Sequence, residues 1–226
     1  MFLDKSRVAT HLLVITIAAT IVGAASGVTS WALFEALDQA TELRLNHGWL
    51  VWLLPIAAFI VGAAYHYVGG PANRGTSLVV EQSLPPIDPS TPEHTPKIPY
   101  RMAPMIFAAT YIAQLTGASV GREGAALQVS GSITSLLAKP FRLKPSDIRL
   151  MLIAAMAGAF GGAFGVPFAG AIFGLEVQQT GRLRYEGLAP ALAASITADF
   201  IVESLGRHTP IIEIPVTIDW SIALRL

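Results

Sequence analysis

Gly121-Arg122-Glu123-Gly124 opens the run Gly121–Ala138, GREGAALQVSGSITSLLA, and the fold turns on how this run is read. The glutamate stands between two glycines, with residues 102–120 free of charge before it and residues 124–138 free of charge after it. A carboxylate in such a setting is buried unless something wet reaches it, and inside a bilayer an ionisable residue is expensive and marks an ion or proton pathway. Gly121 and Gly124 let the backbone turn sharply and approach an ion. The residues after them predict a helix over 123–138 whose first unpaired N–H groups point back at the turn. A helix N-terminus is an anion site. The carboxylate at its mouth can occupy the anion's place, or leave it when protonated or displaced by the anion.

Composition sets the solvent. Of 226 residues, 53% are hydrophobic and 13% are charged, and the mean hydropathy is +0.55, so polar surface is too scarce for a soluble domain of this size. The expectation is an all-α integral membrane protein, multi-pass in the cell membrane. The absence of cysteine excludes disulfides and thiolate metal sites. The formal net charge is zero and no basic patch is interleaved with aromatics, so nucleic acid is not a partner. His11, His47, His66, His94 and His208 show no metal-ligand spacing, and neither metal nor cofactor is expected.

Helices are predicted over 8–43, 49–68, 76–83, 101–119, 123–138, 147–161, 167–180 and 187–205, all in one membrane domain covering 1–226. Leu12–Phe34 is a charge-free stretch long enough to span a hydrocarbon core of about 30 Å and too long for a cleavable signal. The next span carries Trp49 and Trp52 as interfacial anchors, with Pro55 in its first turns where proline is tolerated. Beyond Gly69 regular spans fail. Gly69, Gly70, Pro71 and Gly75 break the chain, Thr76–Glu81 is too short to cross, and six prolines lie within 82–100. The helix over 123–138 is also short, about 24 Å at ~1.5 Å per residue. Both begin part-way into the bilayer, where irregular backbone is tolerated only when buried in protein or lining a wet cavity. Residues 150–175 are uncharged but split near Gly165 and Pro167. Gly158 with Gly162, Gly161 with Gly165, and Gly170 with Gly174 form small-xxx-small spacings, read as close helix packing in preference to a dimer motif.

Basic residues give an orientation. Lys5 and Arg7, Arg74, the group Lys139, Arg142, Lys144 and Arg149, and Arg182 with Arg184 face the cytoplasm; the acidic connector Glu35–Glu42 and the proline-rich loop face outward. Discontinuous helices that aim N-termini at one place are how transporters bind anions. Arg122 reads as structural, tied to carbonyls or to a neighbouring acid. Glu176 reads as a proton site or as a partner of Arg182, and Asp199 as a structural polar contact. Gly117-Ala118-Ser119-Val120-Gly121 fits the G-x-S-x-G pattern, but a nucleophile elbow needs a strand, a turn and a histidine from the same sheet, so the chain is not read as an enzyme.

Three pieces resemble one family, the CLC chloride channels and anion/proton antiporters. Gly121–Gly124 resembles its GREGP motif. Ala163–Glu176, AFGVPFAGAIFGLE, resembles its AFNAPLAGILFxxE segment. Gly75-Thr76-Ser77 falls where its GSGIP loop lies. The resemblance implies one half of an inverted-repeat fold with broken, tilted helices. It implies Glu123 as gate and proton carrier, and an anion site formed by the backbone at Gly121, Gly124, Ala125 and Ala126 with the hydroxyl of Thr76 or Ser77. The implied partners are halide anions, protons and, for the full-length protein, a second copy in a homodimer.

Departures from the pattern sharpen the expectation. Ala125 stands in place of the motif's proline and Gln128 follows soon after, which is more similar to the fluoride/proton antiporter branch. Val177 follows Glu176 where chloride antiporters carry their internal proton glutamate. Fluoride/proton antiport is therefore favoured, with chloride transport close behind. The second repeat, which supplies a further loop and an anion-coordinating tyrosine, is absent from residues 1–226. The alternative function is a non-transporting membrane subunit that acts only through a partner chain.

Overall fold

A computed structural model describes residues 5–85, 97–138, 143–178 and 185–207, with side chains from Thr10 onward. Its α-helices are α1 Lys5–Asn46, α2 Leu54–Ala64, α3 Thr76–Ser83, α4 Met102–Leu115, α5 Arg122–Ala138, α6 Pro145–Phe164, α7 Pro167–Glu176 and α8 Leu188–Ser204. No strand occurs among the described residues. A 3₁₀ turn at Gly48–Leu53 leads into α2, and a π turn at Tyr65–Gly69 and a 3₁₀ turn at Gly70–Arg74 lead out of it. Thr10–Asn46, Gly48–Ser83 and Pro145–Phe164 are long and apolar enough to cross a membrane. Lys139, Arg142, Arg182, Arg184, His94, His208 and residues 221–226 lie outside the described residues.

Contacts at the two ends of α1 fix the direction of the other helices. At its N-terminal end, the inner one by the orientation expected from the basic residues, His11 Nε2 lies 3.6 Å from Asp147 at the start of α6. At its outer end Gln114, near the close of α4, donates to Thr41 Oγ1 at 2.8 Å, and Asp38 meets Arg122 at the start of α5. His11 and Asp38 are about 40 Å apart along the helix at ~1.5 Å per residue, which exceeds the hydrocarbon thickness. Helices α1, α4, α6 and α8 therefore run outward and α5 and α7 return. α3 lies parallel to α5, with Thr76 beside Gly124 and Val79 beside Gly131.

That parallel placement corrects one expectation. The proline-rich loop was expected on the same side as the acidic connector, but its described end lies inward. Ser132 donates to the carbonyls of Pro99 and Tyr100 at 3.0 and 3.2 Å, and Ser135 to that of Ile98 at 3.3 Å, beside the C-terminal half of α5. The physical reason is the length and direction of α3. Eight residues cover about 12 Å at ~1.5 Å per residue, and a helix running with α5 delivers the chain to the side from which α4 departs.

Three outward helices end in the same way. Gly117, Gly165 and Gly206 take positive φ, and the N–H of the following residue reaches back to a carbonyl five positions earlier: Ala118 to Ala113, Val166 to Gly161, and Arg207 to Val202. This is a Schellman close, which satisfies carbonyls that a helix end leaves unpaired. It explains why α4 stops at Leu115, short of the expected 119, and why the break between α6 and α7 falls at Gly165.

The packing that holds α5 is made of small residues. A Cβ on Gly23 would lie 2.4 Å from the Ala194 carbonyl oxygen, and one on Gly27 would lie 2.7 Å from that of Ala198. Gly158 and Gly162 press on the same stretch of α8 from the other side, and Gly174 of α7 sits against the Ile153 carbonyl. Bare backbones thus meet where α1, α6 and α8 run side by side, the contact that drives association when lipid is as apolar as the side chains. The expected Gly158, Gly162, Gly170 and Gly174 spacings are spent inside the chain. Gly23-x3-Gly27, which meets Ala194-x3-Ala198, was not singled out in the sequence.

Candidate functional site

The start of α5 is set from behind. Ala125 and Ala126 are each 2% exposed and belong to one cluster with Leu33 and Leu37 of α1, Leu78 of α3, and Leu152 and Met156 of α6. With the second turn held in this core, the helix start at Arg122 leaves the N–H groups of Gly121 to Gly124 without carbonyl partners in the helix. The resemblance implied an anion site at Gly121, Gly124, Ala125 and Ala126. The structure places the first two at the mouth and the alanines one step inside, with their side chains in the core.

Arg122 and Glu123 part company. The Arg122 guanidinium donates to Asp38 Oδ1 at 3.2 Å and lies 5.3 Å from the centre of the Phe34 ring. Glu123 is half-buried and has no ion-pair partner among the described residues. Its carboxylate folds back over the turn, so a Cβ on Gly121 would lie 3.4 Å from Glu123 Oε2. It lines a cavity of about 570 Å³ bounded by the outer ends of α1, α5, α6 and α8, with Phe34, Asp38, Phe164, Val202 and Arg207 among its walls. Arg207 reaches Asp38 Oδ2 at 2.7 Å and also lies over Phe34, 5.2 Å from the ring centre.

One turn further along α5 is a second polar station. Gly75, at φ 57° and ψ −137°, occupies a conformation that suits glycine and turns the chain into α3. Thr76 Oγ1 then lies 3.6 Å from the position of a Cβ on Gly124 and accepts a hydrogen bond from Gln128 Nε2 at 3.3 Å. A hydroxyl oxygen that accepts from an amide keeps its own O–H for another acceptor. Ser77 is exposed. The two hydroxyls left open by the sequence are therefore in different settings, and Thr76 is the one against α5.

Other singled-out residues lie elsewhere. Glu176 is exposed at the end of α7, followed by half-buried Val177, and its suggested partner Arg182 is outside the described residues. Asp199 is on α8, with Oδ1 buried and no hydrogen-bond partner among the described residues. No group of three His, Asp or Glu residues that could hold a metal occurs among the described residues. Phe34, Asp38 and Arg207 were missed as site residues. The first two carry a readable sign, since i and i+4 share a helix face. Arg207 carries none, because only the turn at Gly206 brings it back over α1.

Residues 85–225 match the family model described as voltage gated chloride channel. A chloride/fluoride channel protein of Pseudomonas syringae pv. tomato is 41% identical over 190 residues, 83% of this chain and 40% of the relative. The H(+)/Cl(-) exchange transporter ClcA of Vibrio cholerae is 25% identical over 227 residues, 95% of this chain and 47% of the relative. Among solved structures, a CLC-type fluoride/proton antiporter superposes with a TM-score of 0.80 at 26% identity, over 94% of this chain and 53% of that one. The chain thus spans about half the length of these relatives, or somewhat less. Its all-helical fold is that of a CLC protein over the part it covers, and it is a multi-pass membrane protein. A family model that matches most of the chain, a 41% identical relative and a fold shared at this level carry one conclusion: the chain belongs to the voltage gated chloride channel family, the CLC proteins.

Proposed function

We propose that this chain forms one half of an anion pathway across the membrane, with Glu123 as gate and proton carrier and fluoride as the favoured anion. The observation that carries the proposal is the separation of Arg122 from Glu123. With Arg122 held by Asp38, Glu123 is an unpaired carboxylate at a helix N-terminus and on the wall of a cavity. A carboxylate there excludes an anion by filling its place and by repulsion, which a low dielectric strengthens. Protonation removes both obstacles, so an anion leaving and a proton entering share one group.

Each remaining residue has a defined part. The N–H groups of Gly121 to Gly124 supply donors to the anion. Ala125 and Ala126 hold that turn rigid from the core. Thr76, its oxygen engaged by Gln128, offers its O–H one turn further in. Small, strongly hydrated fluoride needs dense hydrogen-bond donors in exchange for its water, and this double station supplies them. Fluoride is also favoured by Gln128 and Val177, by the 41% identity to a chloride/fluoride channel protein against 25% to a chloride exchanger, and by the fluoride/proton antiporter among the structural neighbours. In the assembled protein, paired as a homodimer, this coupling gives proton-driven export.

The test is halide flux in liposomes from the chain supplied with the remaining length that its relatives carry. Fluoride flux with counter-movement of protons is expected, and Glu123→Gln is expected to abolish the proton movement. Unchanged proton coupling in that variant removes Glu123 from the mechanism, and chloride turnover equal to or above fluoride rejects the ion assignment.

A further inference from the structure

The outer mouth holds a charge arrangement that helix-end pairing alone does not require. Asp38 accepts Arg122 on one carboxylate oxygen at 3.2 Å and Arg207 on the other at 2.7 Å. Both guanidiniums also lie over the ring of Phe34, one α1 turn before Asp38, at 5.3 and 5.2 Å from its centre. A clamp between two helices needs one cation for one carboxylate. Here α5 and the turn after α8 each bring a cation to a single acid of α1, and the ring holds both cations by its negative face. The placement of Arg207 is built in: Gly206 at φ 88° turns the chain back, and the Arg207 N–H reaches the Val202 carbonyl at 3.2 Å.

Charge arithmetic connects this triad to the gate. Among the described residues, the charged side chains on the cavity wall are Asp38, Arg122, Glu123 and Arg207, two acids against two bases. With Glu123 ionised and in place, the wall is neutral. With Glu123 protonated, it carries one uncompensated positive charge, and one monovalent anion restores neutrality.

We propose that Arg207 is a positioning residue for the anion passing the outer mouth, acting through the Asp38–Phe34 platform to give the mouth a net positive charge whenever Glu123 is neutral. This rests on the gating assignment of Glu123. The occupant is a monovalent inorganic anion, because the imbalance is one charge. Asp38 sets that value: without it both guanidiniums are unneutralised, and without Arg207 the surplus disappears.

The experiment is concentration-dependent flux of sodium fluoride and sodium chloride through the same complete assembly, at low and at high ionic strength. Arg207→Gln is expected to raise KM roughly threefold to tenfold at low ionic strength with kcat little changed, and the difference is expected to shrink in salt, as a focused charge does. Arg207→Lys, which keeps the charge, is expected to bring KM most of the way back down to the wild-type value. A loss of kcat or of folded protein in both variants, or a KM in Arg207→Gln equal to that of wild type at low ionic strength, overturns the proposal. Those outcomes are distinct from failure of the gate, which shows as wild-type protein without proton-coupled flux or as Glu123→Gln with coupling intact.

Discussion

Two stretches of this protein look alike by hydropathy and are packed in opposite ways. An 18-residue stretch within Gly48–Ser83 has a mean hydropathy of 1.8 and is 6% buried, whereas one within Pro145–Phe164 has 1.4 and is 67% buried. The more apolar stretch is thus the less buried one. In α2, Ile56, Phe59 and Ile60 are exposed and only Ala57 is buried, while in α6 the run from Met151 to Ala159 is buried throughout. Lipid is as good a solvent for leucine as another helix is, so hydrophobicity does not choose between them. Backbone access does: α6 carries glycines where α1, α7 and α8 arrive, and the glycine of α2 faces open space.

The sharpest way to break the comparison is to fill the crossing of α1 and α8. Gly23→Ala places a methyl group 2.4 Å from the Ala194 carbonyl oxygen, and the obstacle is backbone, which cannot swing aside. Overpacking of this kind costs about 1–3 kcal/mol, and the expected result is a lowered unfolding temperature in detergent with loss of monodisperse protein. The site is expected to suffer with the fold, because Phe34 and Asp38 stand on the same helix. Wild-type stability in Gly23→Ala would mean that α1 and α8 are not held in contact there.

A middle-sized effect is expected where the obstacle is a side chain. A Cβ on Gly161 would lie 2.0 Å from Ser195 Oγ but 3.2 Å from Ser195 Cβ, so the clash is mostly with a hydroxyl. That hydroxyl is buried and without a hydrogen-bond partner among the described residues. Gly161→Ala is expected to destabilise by about 1–2 kcal/mol, and Ser195→Ala in the same chain to recover a good part of it, the signature of coupled neighbours. Thermal unfolding of the two single variants and the double variant reads this out. Additive losses would place the strain elsewhere.

The same contrast explains what was legible in the sequence. The charge-free setting of Glu123 and the broken stretch before Thr76 were readable, because a charge or a glycine cluster inside an apolar run has few physical accommodations. The split at Gly165 was readable for the same reason. The side on which the proline-rich loop lies was not, since basic residues are counted in the chain while the short α3 decides where the chain emerges. The different settings of Thr76 and Ser77 show in the contact with Gln128, fifty-two positions from Thr76, and the Asp38 cluster takes in Arg207, which reaches it only through the turn at Gly206. Local pattern carries no record of such pairings.

The smallest expected effect belongs to the exposed arm. Gly62 of α2 has no atom within 4 Å of where a Cβ would stand, and its backbone is helical. Glycine inside a helix costs about 1 kcal/mol relative to alanine, so Gly62→Ala is expected to leave the unfolding temperature unchanged or raise it slightly. Halide flux is expected to stay at the wild-type level, since α2 touches neither the cavity at Glu123 nor the Thr76 station. A clear loss of stability or of flux would carry the opposite message: something other than lipid lies against this face in the assembled protein, and α2 resembles α6 in packing after all. Comparing Gly62→Ala with Gly23→Ala under identical conditions isolates that question, because the chemical change is one methyl group in both and only the neighbour differs.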